Sequence, residues 1–111
     1  MANVFITDLK GFANPVIAER LRKAGAHVIA CDPGIVRDGE ELGVEILGWA
    51  SPAELVARAT ERFGGRLDAI VISPAMPAPR TNVEDLGVEQ LMAYFQRLAA
   101  ESIAFAGAAV R

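Results

Sequence analysis

Val4 to Asn14, reading Val-Phe-Ile-Thr-Asp-Leu-Lys-Gly-Phe-Ala-Asn, is the stretch that decides the fold. Val4 to Thr7 is a short continuous apolar run, which suits a parallel strand covered on both faces. A tight loop follows. Asn14-Pro15 then predicts an N-cap with proline at the first helical position. Ile17, Ala18, Leu21 and Ala24 mark one helical face. Arg20, Arg22 and Lys23 crowd the last turns, where cations suit the helix dipole, and Gly25 is a natural stop.

Working outward, His27 to Cys31 predicts a second strand ending in the turn sequence Asp32-Pro33-Gly34. Ile35 to Gly43 is weakly patterned and reads as a loop with at most one helical turn. Val44 to Leu47 predicts a short third strand. Ser51-Pro52-Ala53-Glu54 is a capping box with proline at the first helical position. Leu55, Val56, Ala59 and Phe63 face inward from the helix it starts, and Gly64-Gly65 ends it. Leu67 to Ser73 predicts a fourth strand. Pro74, Pro77 and Pro79 then make a stiff, extended loop. A long helix is expected from about Glu84 or Val88 to the chain end. Leu91, Phe95, Leu98, Ser102 and Phe105 form one stripe on it, and Met92, Ala99, Ile103, Ala106 and Val110 a second. Two stripes let one helix pack on a sheet and on a neighbour at once.

The order β-α-β-(loop)-β-α-β-α implies right-handed crossovers and an α/β, Rossmann-like, doubly wound parallel sheet with strand order 3-2-1-4. The fourth strand is then an edge. Ala69 to Ile72 is apolar, uncharged and free of proline, so that edge invites another strand. A fifth strand is expected there, from chain beyond Arg111 or from another molecule. Residues 1–111 thus read as the N-terminal part of a single Rossmann-like domain, incomplete at the fourth-strand edge.

Composition agrees. The 111 residues suit one domain, and a hydrophobic share of 52% exceeds the usual range, which points to an apolar face meant for a partner or for missing chain. The net charge of −3, with scattered Lys and Arg, gives no nucleic-acid footprint. Cys31 stands alone, which excludes a disulfide scaffold or a Cys-based zinc site within one chain. Apolar runs fall well short of the roughly 18 residues of a membrane span, and no leader pattern opens the chain. A cytoplasmic setting is expected.

In a dinucleotide-binding βαβ unit, glycines in the first loop let the backbone approach a pyrophosphate. Here strand and helix are kept while those glycines are largely missing. Asp32, 25 residues after Thr7, stands near the spacing at which such folds set an acid on the ribose hydroxyls, but it reads more readily as a turn-former before Pro33. The layout resembles the N-terminal half of the short-chain dehydrogenase/reductase superfamily over all 111 residues. That superfamily writes the first loop as Thr-Gly-x-x-x-Gly-x-Gly. Thr7 matches, and the three glycines fall on Asp8, Phe12 and Asn14. The family's Asn-Asn-Ala-Gly is here Ser73-Pro74-Ala75-Met76, and its next helical asparagine has no counterpart, since no Asn follows Asn82.

This pattern of loss resembles the halohydrin dehalogenase branch, which keeps the fold and discards the nucleotide. Thr7-Asp8-Leu9-Lys10-Gly11-Phe12 is similar to its first loop, with Phe12 at the aromatic position. Cys31-Asp32 and Ala78-Pro79 also fit. A phenyl ring at Phe12 would occupy the pyrophosphate's space, and a charged Asp8 would repel phosphate. The free N–H groups of the helix start still favour a small anion. The resemblance implies no cofactor, a halide pocket at Phe12, and closure of vicinal haloalcohols to epoxides with the reverse opening by small anions. It implies a catalytic tyrosine, serine and arginine beyond Arg111, so that no catalytic residue lies in this chain; Tyr94 is outside the family's position. Met76, Pro77, Pro79 and Thr81 are candidates to line the substrate cavity. A homo-oligomer is expected through Leu91, Phe95, Leu98 and Phe105.

Each of these residues has a plainer reading. Phe12 can be a hydrophobic plug, Met76 to Thr81 ordinary loop packing, and Asp8 a partner for loop N–H groups. His27 reads as a structural histidine and Cys31 as a small core residue. Two rival functions stand beside the first. One is an NAD- or NADP-dependent oxidoreductase of the same superfamily, with Thr7 and Asp32 as cofactor-binding residues. The other is a non-catalytic, truncated relic that acts by oligomerisation.

Overall fold

The computed structural model describes residues 1–11, 13–72 and 87–110, with the side chains of Leu91, Tyr94, Phe95, Arg97 and Leu98 outside the described set. The elements run β1 (Asn3–Ile6), α1 (Asn14–Lys23), β2 (His27–Ala30), β3 (Gly39–Glu41), β4 (Val44–Ile46), α2 (Pro52–Arg62), β5 (Ala69–Val71), α3 (Val88–Phe95), a π-helical turn (Gln96–Ala100) and α4 (Glu101–Ala109).

The sheet has five strands in the order β3-β4-β2-β1-β5. Its parallel body, β4-β2-β1-β5, is the expected 3-2-1-4 arrangement. Phe5 pairs with Ile29 on one side and Ile70 on the other. Successive residues alternate between two fully covered faces, as an apolar parallel strand requires. Phe5, Ile29, Cys31 and Leu47 meet Leu55, Val56, Ala59 and Phe63 of α2 and its end, together with Phe105 of α4. Val4, Ile6, Val28, Ala30, Val44 and Ile46 meet Leu9 and Ala18 on the α1 side. Burial of these side chains is the main source of stability, at roughly 25 cal/mol per Å² of apolar surface.

Three sequence-based expectations need correction. The stretch Ile35 to Gly43 holds a strand, β3, which pairs antiparallel with β4, so the sheet is mixed. Leu42 and Gly43 turn the hairpin with φ values of 55° and 74°, the left-handed pair of a type I′ turn. Gly-Glu-Glu is too short and too polar to announce a strand, and Leu-Gly lacks the Asn-Gly signal. Second, Asn14 is the first helical residue and not the cap; Ala13 holds that place with no side-chain capping bond. Third, the last helix starts at Val88 but is interrupted by the π-helical turn, which moves later residues around the axis. Phe105 is buried, whereas Met92, Ile103 and Val110 are exposed.

Ser51 caps the second helix as expected of its half of the box: its Oγ accepts the Glu54 N–H at 3.3 Å. The sheet's two rims differ in character. The β3 rim carries exposed Glu40 and half-buried Glu41, while β5 is uncharged and apolar, with no partner on its outer side among the described residues.

Candidate functional site

Open α/β sheets bind ligands in the crevice outside the carboxyl ends of their parallel strands. In this chain that crevice is bounded by the loop after β1 and by the chain leaving β2 and β4. Local bonding closes the first loop on itself. The Gly11 N–H donates to Asp8 O at 2.9 Å, and the Asn14 N–H to Gly11 O at 3.1 Å. Asn14, fully buried, donates from Nδ2 to Asp8 O at 2.7 Å. Leu9 is fully buried and its N–H reaches Cys31 O at 3.0 Å. The Asn14 side chain thus stays within the first loop, bonded to Asp8 O.

Asp32 is buried at the end of β2. Its Oδ2 accepts the Lys10 N–H at 2.9 Å, and its Oδ1 accepts the Gly34 N–H at 2.9 Å. The carboxylate therefore joins the first loop to the turn after β2, and each oxygen holds a main-chain donor. Thr7 is buried as well. Its N–H and its Oγ1 both donate to Val71 O, at 3.1 and 3.3 Å, tying the end of β1 to β5. Cys31 Sγ donates to Thr7 O at 3.2 Å. Lys10 Nζ pairs with Glu41 Oε1 at 2.9 Å; that hydrogen bond and the Glu41 charge hold the lysine pKa above its ordinary value.

A second cluster lies across the carboxyl end of β4, and the sequence reading missed it. The Trp49 N–H donates to Ile35 O at 2.9 Å. The Gly48 N–H donates to Asp38 Oδ1 at 2.7 Å. Arg58 Nη2 reaches both oxygens of Asp38 at 2.8 Å, and Arg62 of the same helix pairs with Glu45. The Gly48 N–H, then the Arg58 guanidinium, hold the Asp38 carboxyl below its ordinary value. A Cβ at Gly48 would stand 2.6 Å from Val36 O, so only glycine permits this approach of two main chains. The available signal was the pair Arg58 and Arg62, one turn apart on α2.

Phe12, Met76, Pro77, Pro79 and Thr81 lie outside the described residues. Phe105 is buried, edge-on to Phe5 at 6.4 Å and to Trp49 at 6.0 Å between ring centres, which gives Trp49 a packing role. His27 lies edge-on to Phe63 at 4.9 Å, in keeping with a structural histidine. Among the described residues, no His, Cys, Asp and Glu group could hold a metal ion. No described helix is long and apolar enough to cross a membrane. Two shallow surface grooves lie away from the crevice. One, of about 260 Å³, runs between α1 and the hairpin along Pro15, Val16, Glu19, Arg22 and Leu42. The other, of about 240 Å³, lies between β5 and the end of α4.

No family model matches the sequence, and no curated protein matches it. Solved structures do. A protein described as a dehalogenation enzyme superposes with a TM-score of 0.81 at 22% identity, over 98% of this chain and 47% of that one. A halohydrin dehalogenase (HheC) bound to ethyl (2S)-oxiran-2-ylacetate gives 0.85 at 20% identity, over 98% and 46%. A short-chain dehydrogenase/reductase from Serratia marcescens BCRC 10948 gives 0.81 at 19% identity, over 99% and 51%. The chain spans about half the length of these structures. At such identities the likeness is one of fold: the chain has the Rossmann-like fold that short-chain dehydrogenase/reductases and a halohydrin dehalogenase share.

Proposed function

We propose that this chain forms the first half of a cofactor-independent, halohydrin dehalogenase-like lyase. The observation that carries the reading is the inward commitment of Asp32. A ribose diol needs a carboxylate that its two hydroxyls can reach. Asp32 is buried, and each of its oxygens is turned to a main-chain N–H of the protein, one of them from the first loop. The loss of all three loop glycines supports the same reading, with the buried Asn14 side chain at the third position.

In this proposal Phe12 borders a small halide or nucleophile pocket in front of α1, whose first N–H groups favour an anion. Met76, Pro77, Pro79 and Thr81 line the haloalcohol or epoxide. The proton-abstracting tyrosine and its serine and arginine helpers are supplied by chain beyond Arg111. Association of like subunits uses the last helical stretch, but not Phe105, which is buried against Phe5 and Trp49; the side chains of Leu91, Phe95 and Leu98 lie outside the described set, and Val88, Met92, Ile103 and Val110 expose apolar surface there.

The test is a titration of the 111-residue chain with NADH and with NADPH, followed by calorimetry, beside a bromide titration followed by thermal melting. No heat from either nucleotide is expected. A small rise in melting temperature with bromide is expected, and its loss in Phe12→Ala. Saturable nucleotide binding would instead make the chain part of an NAD(P)-dependent oxidoreductase with Thr7 and Asp32 as cofactor residues.

A further inference from the structure

The connection from β2 to β3 lies directly on the chain leaving β4. Ile35 O accepts the Trp49 N–H at 2.9 Å, and Val36 O sits so close to Gly48 that a Cβ there would stand 2.6 Å away. No ligand atom fits between two main chains in such contact. One side chain fixes the arrangement. Asp38 Oδ1 accepts the Gly48 N–H at 2.7 Å, and both Asp38 oxygens accept Arg58 Nη2 at 2.8 Å. The carboxylate is aimed at Gly48 by a guanidinium anchored on α2, a rigid helix that packs on the sheet. A charge-assisted bond to a main-chain N–H is roughly twice as strong as a neutral one.

We propose that Asp38 is a specificity-determining positioning residue. By holding the Gly48 N–H and the Arg58 guanidinium together, it pins the β2–β3 connection across the ends of β2 and β4 and closes that side of the crevice to an adenine nucleotide. The proposal rests on the cofactor-free reading above and supplies its second half. Asp32 occupies the ribose position with the protein's own N–H groups, and the Asp38 latch occupies the space beyond it. Exclusion of nucleotide is then a property of two acids in the described loops, independent of Phe12.

The test compares wild type, Asp38→Ala and Asp38→Asn as the full 111-residue chain. Hydrogen exchange is read at the Gly48 amide, and binding of adenosine 5′-monophosphate and of NADH by calorimetry. Asp38→Ala should speed exchange at Gly48 about tenfold and bind adenosine 5′-monophosphate about tenfold more tightly than wild type, the scale of one net hydrogen bond. Asp38→Asn keeps one acceptor oxygen but loses the charge and one contact with Arg58, and should fall between wild type and Asp38→Ala in both. Wild-type exchange in Asp38→Ala overturns the pinning, and faster exchange without a gain in nucleotide affinity overturns the closure. In both cases a wild-type chain that ignores NADH leaves the cofactor-free reading standing. NADH binding by the wild-type chain overturns both together. Should Asp38→Ala not fold, Arg58→Ala removes the guanidinium that aims the carboxylate. It should speed Gly48 exchange about threefold, and unchanged exchange there overturns the proposal.

Discussion

The main-chain N–H of Lys10 donates to Asp32 Oδ2 at 2.9 Å, and this bond joins the first loop to the end of the neighbouring strand. Asp32 is buried, so replacing it with alanine strands the Lys10 and Gly34 N–H groups. The loss should be about 2–4 kcal/mol, or a fall in melting temperature of about 10–20 °C for a domain of this size. Circular dichroism melting of Asp32→Ala measures it. A melting temperature equal to wild type would show that the bond contributes nothing.

Phe105 carries the contact of the last helix with the sheet, between the rings of Phe5 and Trp49. Phe105→Ala should cost about 3–5 kcal/mol, as for other buried phenylalanines. Trp49 is the chain's one tryptophan, so its emission reports the same event. Urea unfolding should show a lower midpoint, and the native emission should shift to the red. An unshifted spectrum would mean that α4 does not rest on Trp49 in solution.

Leu42 holds a left-handed backbone at φ 55° on the hairpin turn. A branched side chain is strained there by about 1–2 kcal/mol, and asparagine tolerates the conformation. Leu42→Asn should therefore stabilise the protein by about 0.5 kcal/mol, the strain relief being offset in part by lost contact in the adjoining groove. Paired denaturation curves decide the sign, and a clear destabilisation would count against the turn geometry.

Acid should weaken the fold through Asp38. Its carboxyl lies below the ordinary value of 3.8, chiefly through the Gly48 N–H and then Arg58. A depressed folded-state pKa means the folded chain binds fewer protons than the unfolded one. The stabilisation is therefore complete above pH 3.8 and is lost as pH falls through the folded value. Asp68 adds a contribution of the same sign, from the Asn3 N–H and then Arg66. Denaturation midpoints measured from about pH 6 downward should drop below pH 4, and less steeply in Asp38→Asn. Identical profiles would remove Asp38 from the acid response.

The parallel body of the sheet was legible because each strand is a continuous apolar run bounded by turn residues, as Val28-Ile29-Ala30 is before Asp32-Pro33-Gly34. Ser51 and Pro52 announced α2 through chemistry that acts within a few residues. The hairpin escaped notice because its first strand depends on pairing with Val44 to Ile46, a tertiary relation that Gly-Glu-Glu does not encode. Asn14 looked like a cap because local propensity ignores Asp8 O, six residues back, which takes its side chain instead. The Asp32 bonds with Lys10 and the Asp38 bond with Gly48 span 22 and 10 residues. Spacing can nominate such an acid, but only the folded chain says what it holds.

The unlike borders of the sheet set a limit on how copies could add to one another. Glutamates guard the β3 side, where a second acidic strand would meet repulsion, and among the described residues only the β5 side is adhesive. Two copies of the 111-residue chain meeting β5 to β5 would exhaust that border in each. Accretion through strands would stop at a closed pair and would not run on into a fibre.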